Sequence, residues 1–306
     1  MALVWVTLGL AACESELVTL GQLAEADPNS GSAGSPAGGA TSKPRLRFGD
    51  PVQRTELGSG EKDDNPTLTA DALTVYFSSE RRDETRVYTA TRPSVDEPFG
   101  EPALVDLVGN DEDISSPAIS SDGLTLWVGK DRGEDLETDI WVTTRTPTEG
   151  FGPLENVTNL NSVEKDIPRP PAGGGLVMPL SSQRAGADLD YRIYLATRRD
   201  DRSPFGAPQP LPELDLGRRV VDGFLTEDLL TVFFSSGFAE NDGELFMAQR
   251  PSVTLPFDAP VPIEALNRAE TDERDPWLSK DGTRFFFTSD RVAGDHEIFE
   301  CVVSRE

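Results

Sequence analysis

The sequence contains few of the residue types that supply redox, metal or nucleophilic chemistry. Its 306 residues include two cysteines, one histidine and three methionines. Two cysteines cannot form a disulfide framework, and a zinc site of cysteines and histidines lacks ligands. A serine hydrolase triad would depend on His296 alone, which lies in a polar Gly-Asp-His-Glu stretch typical of an exposed turn. The sequence therefore carries no common catalytic or metal motif.

Basic residues are also scarce relative to acidic ones. Lys and Arg number 28 against 54 Asp and Glu, which gives a net charge of −26. Binding to nucleic acid or to anionic lipid head groups needs clustered Lys and Arg, so the composition argues against both as partners. The acidity is typical of a surface kept soluble by repulsion. Binding of a cation or a cationic ligand is the alternative.

The one long apolar run lies at the N-terminus and is too short to span a bilayer. Residues 2–12 fit the core of a signal peptide and end in Leu10-Ala11-Ala12-Cys13. This ending resembles the bacterial lipobox. The resemblance implies a lipoprotein signal peptide over residues 1–12 and a lipid on the Cys13 thiol. A cysteine that follows an apolar tail by chance is the alternative.

Residues 13–43 have the composition of a flexible linker, with a Gly-, Ser- and Ala-rich stretch at Gly31–Gly39. With Cys13 acylated, Cys301 has no partner for an intrachain disulfide. Cys301 alternates with Phe299 and Val303 in a strand-like run, so we expect a buried thiol.

The dominant positive feature is a Phe-Gly phrase that ends in proline and recurs every 51 to 54 residues. A fixed period of this size indicates a repeat architecture. The copies are Phe48–Pro51, Phe99–Pro102, Phe151–Pro153, Phe205–Pro208 and Phe257–Pro260; the last has Asp258 in place of Gly.

Each repeat also contains the same succession of short strands. An acidic segment with a proline precedes a first strand, which ends in a turn such as Ser120–Gly123. A β-branched and aromatic second strand follows, for example Leu124–Val128, and then a third strand such as Asp139–Val142. The 27 glycines and 24 prolines favour turns over long helices. Four short antiparallel strands per unit predict an all-β propeller.

The phrase and the strand sets are offset along the chain, which predicts how the ring closes. The first phrase precedes the first strand set, and the last set, 272–303, has no phrase after it. We therefore expect residues 48–57 to supply the outer strand of the last blade, which removes exposed edges. Residues 44–306 then form five blades, with six as the alternative. In the third unit, Pro179 predicts an irregular second strand, because proline cannot donate to the ladder.

The repeat resembles the TolB-type, WD-like propeller repeat over about residues 44–306. The matching residues in the second unit are Pro117, Ser120–Gly123, Arg132 and Asp139–Trp141, and in the fifth unit Pro276, Ser279–Gly282, Ser289–Arg291 and Glu297–Phe299. The resemblance implies the propeller fold and leaves the function open.

The candidate site residues are the acidic residues that enter each first strand and that we expect to line the central channel. They are Asp64, Asp113, Asp166, Asp222 and Asp275. One interpretation is a repeated aspartate that satisfies backbone groups of its loop. The alternatives are paired carboxylates of a five-bladed glycosidase and oxygen ligands of a Ca²⁺ ion.

Two further sets of side chains bear on ligand binding. Arginines follow the second strands at Arg81, Arg132, Arg184 and Arg291. We expect each to pair with an acidic residue of its own loop, such as Asp139 or Asp295; an arginine cluster for an anionic ligand is the alternative. Trp277, in a first strand, is the aromatic residue that we expect to be able to meet a ligand.

The sequence as a whole predicts a monomeric, lipid-anchored propeller of the bacterial cell envelope, in the periplasm or at the outer membrane. We expect a non-catalytic module that binds a protein, peptide or glycan, without a cofactor other than Ca²⁺. A five-bladed glycosidase that uses the channel carboxylates is the alternative function.

Overall fold

The computed structural model describes residues 45–82, 84–107, 113–133, 137–185, 191–238, 242–292 and 294–305. The predicted signal peptide, the linker and Cys13 lie outside these residues. Across the described ranges, no helix has the length and apolar character needed to cross a membrane.

The described chain consists of short strands and one 3-10 turn, Pro212–Leu214. In chain order the strands are β1 (Leu46–Phe48), β2 (Val52–Gln53), β3 (Asp63–Leu68), β4 (Thr74–Ser79), β5 (Arg86–Thr91), β6 (Ala103–Leu104), β7 (Ile114–Ile119), β8 (Thr125–Asp131), β9 (Thr138–Thr144), β10 (Glu155–Asn156), β11 (Asp166–Pro168), β12 (Val177–Ser182), β13 (Arg192–Thr197), β14 (Gln209–Pro210), β15 (Arg219–Leu225), β16 (Thr231–Gly237), β17 (Glu244–Gln249), β18 (Val261–Pro262), β19 (Glu273–Leu278), β20 (Arg284–Ser289) and β21 (Glu297–Arg305).

These strands form five antiparallel sheets that are the blades of a propeller. Blades 1 to 4 contain β3–β6, β7–β10, β11–β14 and β15–β18, and blade 5 contains β19–β21 with β1 and β2. The first strands of neighbouring blades contact one another, as in the series β15, β19, β3 and β7, so they surround the central axis. The predicted five-bladed fold is confirmed.

Blade 5 joins the two ends of the described chain. Phe48 of β1 pairs with Val303 of β21, and Val52 of β2 pairs with Glu300. The predicted contact between the segment after the first phrase and the last strand is confirmed. The ring is thus closed by strand pairing between residues that are about 250 positions apart.

The Phe-Gly phrase fastens each outer segment to its third strand. The amide of Gly100 donates a 2.8 Å hydrogen bond to the carbonyl of Thr91, and the equivalent bond recurs in every blade.

An arginine that directly follows the third strand covers the phrase's phenylalanine in blades 1 to 4. The guanidinium carbon lies 4.5 Å from the ring centre for Arg92 and Phe99, 5.0 Å for Arg145 and Phe151, 4.6 Å for Arg198 and Phe205, and 4.4 Å for Arg250 and Phe257. The sequence reasoning identified the phenylalanines but missed these arginines.

A β-bulge interrupts the first strand of four blades at the same place. Its residues Asn65, Ser116, Asp222 and Asp275 have φ between 49° and 62°, in the left-handed region. The pairing register shifts there in each blade, for example between Arg274 and Trp277. A bulge re-aims the side chain that it carries, and here it directs Asp222 and Asp275 to a partner in another blade.

The second strand of blade 3 is regular, so the prediction from Pro179 is wrong. Val177–Ser182 pairs residue by residue with β13, and Pro179 lies opposite Leu195. The carbonyl of Pro179 accepts the amide of Arg169 on the inner side. Because the amide and carbonyl of one strand residue point the same way, the missing donor of Pro179 faces the short β11 and removes no bond to β13.

Candidate functional site

The space between the first strands opens at both ends of the propeller. The entry mouth, where the first strands begin, is a cavity of about 250 Å³ lined by Lys62, Asp64, Tyr191 and Arg219 among others. The exit mouth, where the first strands end in their hairpin turns, is a cavity of about 410 Å³ lined by Phe224, Trp277 and neighbouring side chains.

A buried ion-pair cluster, which we call the plug, lies at the base of the entry mouth. Arg169 of blade 3 extends its Nη2 atom to Asp222 of blade 4 and, at 2.7 Å, to Oδ1 of Asp275 of blade 5. All three residues are at least 95% buried. Burial opposes the charge of Arg169, but the two carboxylates outweigh it and raise the pKa of the guanidinium.

The remaining oxygens of the plug are bound by hydroxyl groups. Ser235 donates to Oδ2 of Asp222 at 2.8 Å, and Thr288 donates to Oδ2 of Asp275 at 2.7 Å. Each donor comes from the second strand of its aspartate's own blade, Ser235 from β16 and Thr288 from β20. The two aspartates are therefore charge-paired and hydrogen-bonded, which makes them poorly suited to protonate or attack a substrate.

Asp64, beside the plug, is also paired. Its Oδ2 lies 2.6 Å from Nζ of Lys62. Burial would raise the pKa of Asp64, but the charge and hydrogen bond of Lys62 outweigh it and hold the pKa below its usual value. Asp64 in turn raises the pKa of Lys62. Both groups are ionised at neutral pH.

The five predicted channel aspartates do not occupy equivalent positions. Asp64, Asp222 and Asp275 line the entry mouth together. Asp113 has a side chain that is 53% exposed and lies 3.5 Å from Arg86. Asp166 is fully buried, where Oδ1 accepts from Arg184 at 2.6 Å and Oδ2 from Ser162.

The bulge contributes to this difference in the four first strands that carry it. Asp222 and Asp275 are bulge residues themselves, whereas Asp113 stands three positions before the bulge residue Ser116. Asp166 begins β11, which pairs with β12 without a register shift. Aligning the repeats on an acidic residue before a proline placed these residues together in the sequence, and the fold separates them. Arg169, which directly follows β11 in blade 3, was not among the candidate residues.

The arginines after the second strands form ion pairs within blades 1, 2, 3 and 5. Arg81 contacts Asp63 at 2.8 Å, Arg184 contacts Asp166 at 2.6 Å and Arg291 contacts Glu273 at 2.9 Å. The same three side chains donate to the carbonyls of Leu57, Leu160 and Leu266. Arg132 instead approaches Asp139 at 3.7 Å. The expected internal pairing is found, but for three of the four the partner lies on the first strand instead of the following loop.

His296 is half-buried, so the prediction of an exposed turn residue is wrong. Its Nε2 lies 2.9 Å from Oδ2 of Asp272, and Arg274 binds the same oxygen. Burial would raise the pKa of Asp272, but the hydrogen bond from His296 and the charge of Arg274 outweigh it and lower the pKa. His296 therefore belongs to a structural polar cluster of blade 5, and the amide of Gly243 in blade 4 also donates to Asp272 at 2.7 Å.

The exit mouth differs chemically from the entry mouth. Leu68, Ile119, Phe224 and Trp277 form its floor, joined by Pro170 and Pro171 of blade 3. The Trp277 ring packs edge-on against Phe286, with centroids 5.8 Å apart, and is 4% exposed. The aromatic floor thus lies at the end of the axis opposite the entry mouth, which the three clustered candidate carboxylates line.

Across the described part of the chain, no three His, Cys, Asp or Glu side chains are grouped so that they could hold a metal ion. Cys301 is buried, as the alternation of its strand predicts, and burial raises its thiol pKa to about 12. The Ca²⁺ ion stays a prediction from the sequence.

Comparison with known proteins identifies the fold and no family. No family model and no curated protein matches the chain. Among solved structures, it resembles TolB from Acinetobacter baumannii at 14% identity and a TM-score of 0.51, over 80% of this chain and 56% of TolB. The chain thus spans little more than half the length of that protein.

Glycosidase propellers are equally similar. An endo-arabinase from Bacteroides thetaiotaomicron matches at 15% identity and a TM-score of 0.58, over 81% of this chain and 96% of the enzyme. An α-L-arabinofuranosidase from Podospora anserina matches at 10% identity and a TM-score of 0.51, over 81% of this chain and 92% of the enzyme. At these identities the likeness concerns the fold alone. The chain is therefore similar in fold both to TolB proteins and to glycosidase propellers.

Proposed function

We propose that the chain is a non-catalytic binding module of the bacterial cell envelope that takes a protein, a peptide or a glycan. One observation carries the proposal. Each of the three predicted aspartates that line the entry mouth is bound to a cation of the protein itself, Asp64 to Lys62 and the other two to Arg169.

A glycosidase needs a different arrangement of its carboxylates. One must be protonated as the acid while the other is ionised, and both must face the sugar across a few ångströms. Asp222 and Asp275 share one guanidinium, and Asp64 has a lowered pKa. Arg169 therefore occupies two of the three carboxylates, and the pKa of the third, Asp64, is shifted in the direction opposite to the one that a general acid needs.

The glycosidase alternative is supported by the fold comparison. Two arabinose-specific enzymes superpose on most of this chain. A panel of glycans that includes arabinan and cellotriose, followed by a reducing-sugar assay, separates the two functions. We expect the chain to release no more reducing sugar than a heat-denatured control.

Glycan hydrolysis that disappears in Asp64→Asn would overturn the binding-module proposal and establish the glycosidase. Asp64 suits this test because its side chain is bound to one partly buried lysine and not to the plug. Asp71→Asn, in a hairpin turn at the opposite end, is the matched control for the loss of one carboxylate.

The location in the envelope rests on the lipobox-like ending at Cys13 and on the TolB-like fold. We propose a lipid-anchored monomer in the periplasm or at the outer membrane. Cys13→Ala is expected to move the protein from the membrane fraction to the soluble fraction of bacterial cells. An unchanged membrane fraction would refute the anchor without affecting the binding proposal.

A further inference from the structure

The chain enters blade 5 at the rim of the exit mouth. Leu46, the first residue of β1, pairs with Arg305 at the end of β21. Arg305 also lines the exit mouth, where its guanidinium packs against the blade 5 hairpin turn at Gly282. The residues that precede Leu46 in the sequence are therefore attached beside this cavity.

The cavity has room for one or two large apolar side chains. Its volume of about 410 Å³ lies at the lower end of the range for ligand pockets. The floor side chains Leu68, Ile119, Phe224 and Trp277 offer carbon atoms only, apart from the indole N–H. A polar group placed on this floor would lose its hydrogen bonds to water, which favours an apolar occupant.

The charged side chains of the lining do not select a charged occupant. They are Glu227, Asp228, Lys280 and Arg305. Two anions and two cations balance, so the lining as a whole neither attracts nor repels an acidic segment of chain. An occupant is therefore selected by apolar contact with the floor and by how closely it is tethered to the mouth.

One stretch between Cys13 and Pro44 has large apolar side chains. They belong to Leu17, Val18, Leu20 and Leu23, which lie outside the described residues. Residues 24–43 contain no large apolar side chain and have the linker composition rich in Gly, Ser and Ala. The sequence thus places a short apolar segment at the far end of a polar tether whose near end is fixed at the exit mouth.

The length of this tether suits the distance that it has to cover. Gly- and Ser-rich chains of twenty residues have an end-to-end distance of roughly 25 Å. Such a tether holds a segment at a local concentration of roughly millimolar. A dissociation constant of about 1 mM for the untethered segment would then fill the mouth in about half of the molecules. Burial of one or two leucine side chains gives an affinity in this range.

We propose that residues 17–23 occupy the exit mouth of their own propeller, with leucine side chains on the floor at Phe224 and Trp277. This inference goes beyond the proposed function, since it concerns the end of the axis opposite the entry mouth and assigns an occupant from the chain itself. A partner that binds at the exit mouth would have to displace this segment, whereas the entry mouth stays open to a partner.

A disulfide trap in the full chain tests the contact. Thr19→Cys leaves the apolar residues of the segment unchanged, and Ser121→Cys places a thiol on the exposed rim of the exit mouth. Both are combined with Cys13→Ser, and Cys301 is buried. Diamide at micromolar protein is expected to form an intramolecular disulfide, which non-reducing electrophoresis detects as faster migration. Lys280→Cys, at the same turn position in blade 5, gives a second rim thiol if Ser121→Cys does not fold.

Ser30→Cys in place of Thr19→Cys is the matched control for chain closure. Residue 30 is nearer to Leu46 in the sequence, so its shorter loop would react faster if loop entropy alone set the rate. If the segment docks, Thr19→Cys is expected to react at least about tenfold faster than Ser30→Cys. A thiol at the entry mouth, Glu80→Cys, is expected not to cross-link with Thr19→Cys.

Leu20→Asp tests whether apolar contact holds the segment. Added to the chain with Thr19→Cys and Ser121→Cys, it is expected to slow the cross-linking at least about fivefold, because a carboxylate cannot be buried on the apolar floor. Ala33→Asp adds the same charge to the tether and is expected to leave the rate unchanged. Neither position belongs to the described propeller, so loss of folding does not account for a slower reaction.

Three results would each overturn the inference. They are cross-linking of Thr19→Cys no faster than that of Ser30→Cys, an unchanged rate with Leu20→Asp, and covalent dimers in place of the intramolecular disulfide. Faster reaction of Thr7→Cys, in the predicted signal peptide, than of Thr19→Cys would also overturn it, since another apolar segment would then fill the mouth. Asp64-dependent glycan hydrolysis would instead overturn the proposed function, so the two failures are distinguishable.

Discussion

Arg169 and Asp275 approach within 2.7 Å although they belong to blades 3 and 5 and are 106 residues apart. The contact spans the propeller axis, and the guanidinium also binds Asp222 of the blade between them. Two carboxylates that would repel each other are thus held by one cation. The repeats are similar in fold, but their side chains near the axis differ in charge, so an arginine of blade 3 bridges aspartates of blades 4 and 5.

Removing the cation is expected to destabilise the protein strongly. Arg169→Met leaves the charges of Asp222 and Asp275 buried without a cation, which costs about 3–5 kcal/mol of unfolding free energy. Urea unfolding followed by circular dichroism measures the change. Adding Asp222→Asn and Asp275→Asn to the same chain is expected to recover more than half of the lost unfolding free energy, because the plug then contains no buried charge.

Arg199→Met is the matched control, since this arginine is 78% exposed and pairs with its neighbour Asp200. Its effect is expected to stay within about 0.5 kcal/mol. A triple variant less stable than Arg169→Met would show that the plug does not act through buried charge.

Glu300 ties the closing strand to the ring. The carboxylate is 1% exposed and lies 2.7 Å from Arg54, which follows β2, and 2.9 Å from Arg92 of blade 1. Glu300→Gln leaves these guanidiniums without their anion, and we expect a loss of about 3–5 kcal/mol in urea unfolding together with faster tryptic cleavage at Arg54.

Asp96→Asn provides the comparison for Glu300→Gln. Asp96 also binds an arginine, Arg284, but its side chain is 81% exposed. Surface ion pairs contribute little to stability. The unfolding free energy of this variant is therefore expected to lie within about 1 kcal/mol of that of the unmodified chain. Similar losses of unfolding free energy in Glu300→Gln and Asp96→Asn would show that the buried ion pairs of Glu300 contribute no more to stability than an exposed pair.

Acid is expected to destabilise the protein partly through Asp272. Its pKa is lowered in the folded state, below the usual 3.8, because His296 and Arg274 outweigh the effect of burial. A lowered carboxyl pKa contributes stability above the unfolded value, and this contribution is lost as the pH falls through the folded value. Urea unfolding between pH 6 and pH 3 is expected to show a shallower decline in Asp272→Asn, and parallel curves would exclude this residue as the cause.

Cys301 is expected to be unreactive while the protein is folded. Burial raises the pKa of its thiol to about 12, so almost no thiolate exists at pH 9. Iodoacetamide at pH 9, followed by mass spectrometry of the peptide that contains Cys301, should detect label only after urea is added. The raised pKa also predicts that stability falls as the pH rises above the unfolded thiol value of about 8.5. Labelling without urea would contradict the buried state.

The sequence determined the fold because its signals are local and repeated. The recurring Phe-Gly phrase, the alternating strands and turns such as Ser120–Gly123 each act over a few residues, and the offset of the phrase at Phe48 predicted ring closure in blade 5. The buried state of Cys301 followed from the same alternation.

Only the tertiary structure decided which charged groups meet. The bulge shifts the first strands, so Asp222 and Asp275 reach Arg169 across 53 and 106 residues while Asp113 faces solvent. Contacts between blades are not encoded in the period of a repeat, since the period describes each blade and not its neighbours. The positions of Asp275 and Trp277 were also decided by the fold. They are two residues apart in β19, yet Asp275 lines the entry mouth and Trp277 the exit mouth.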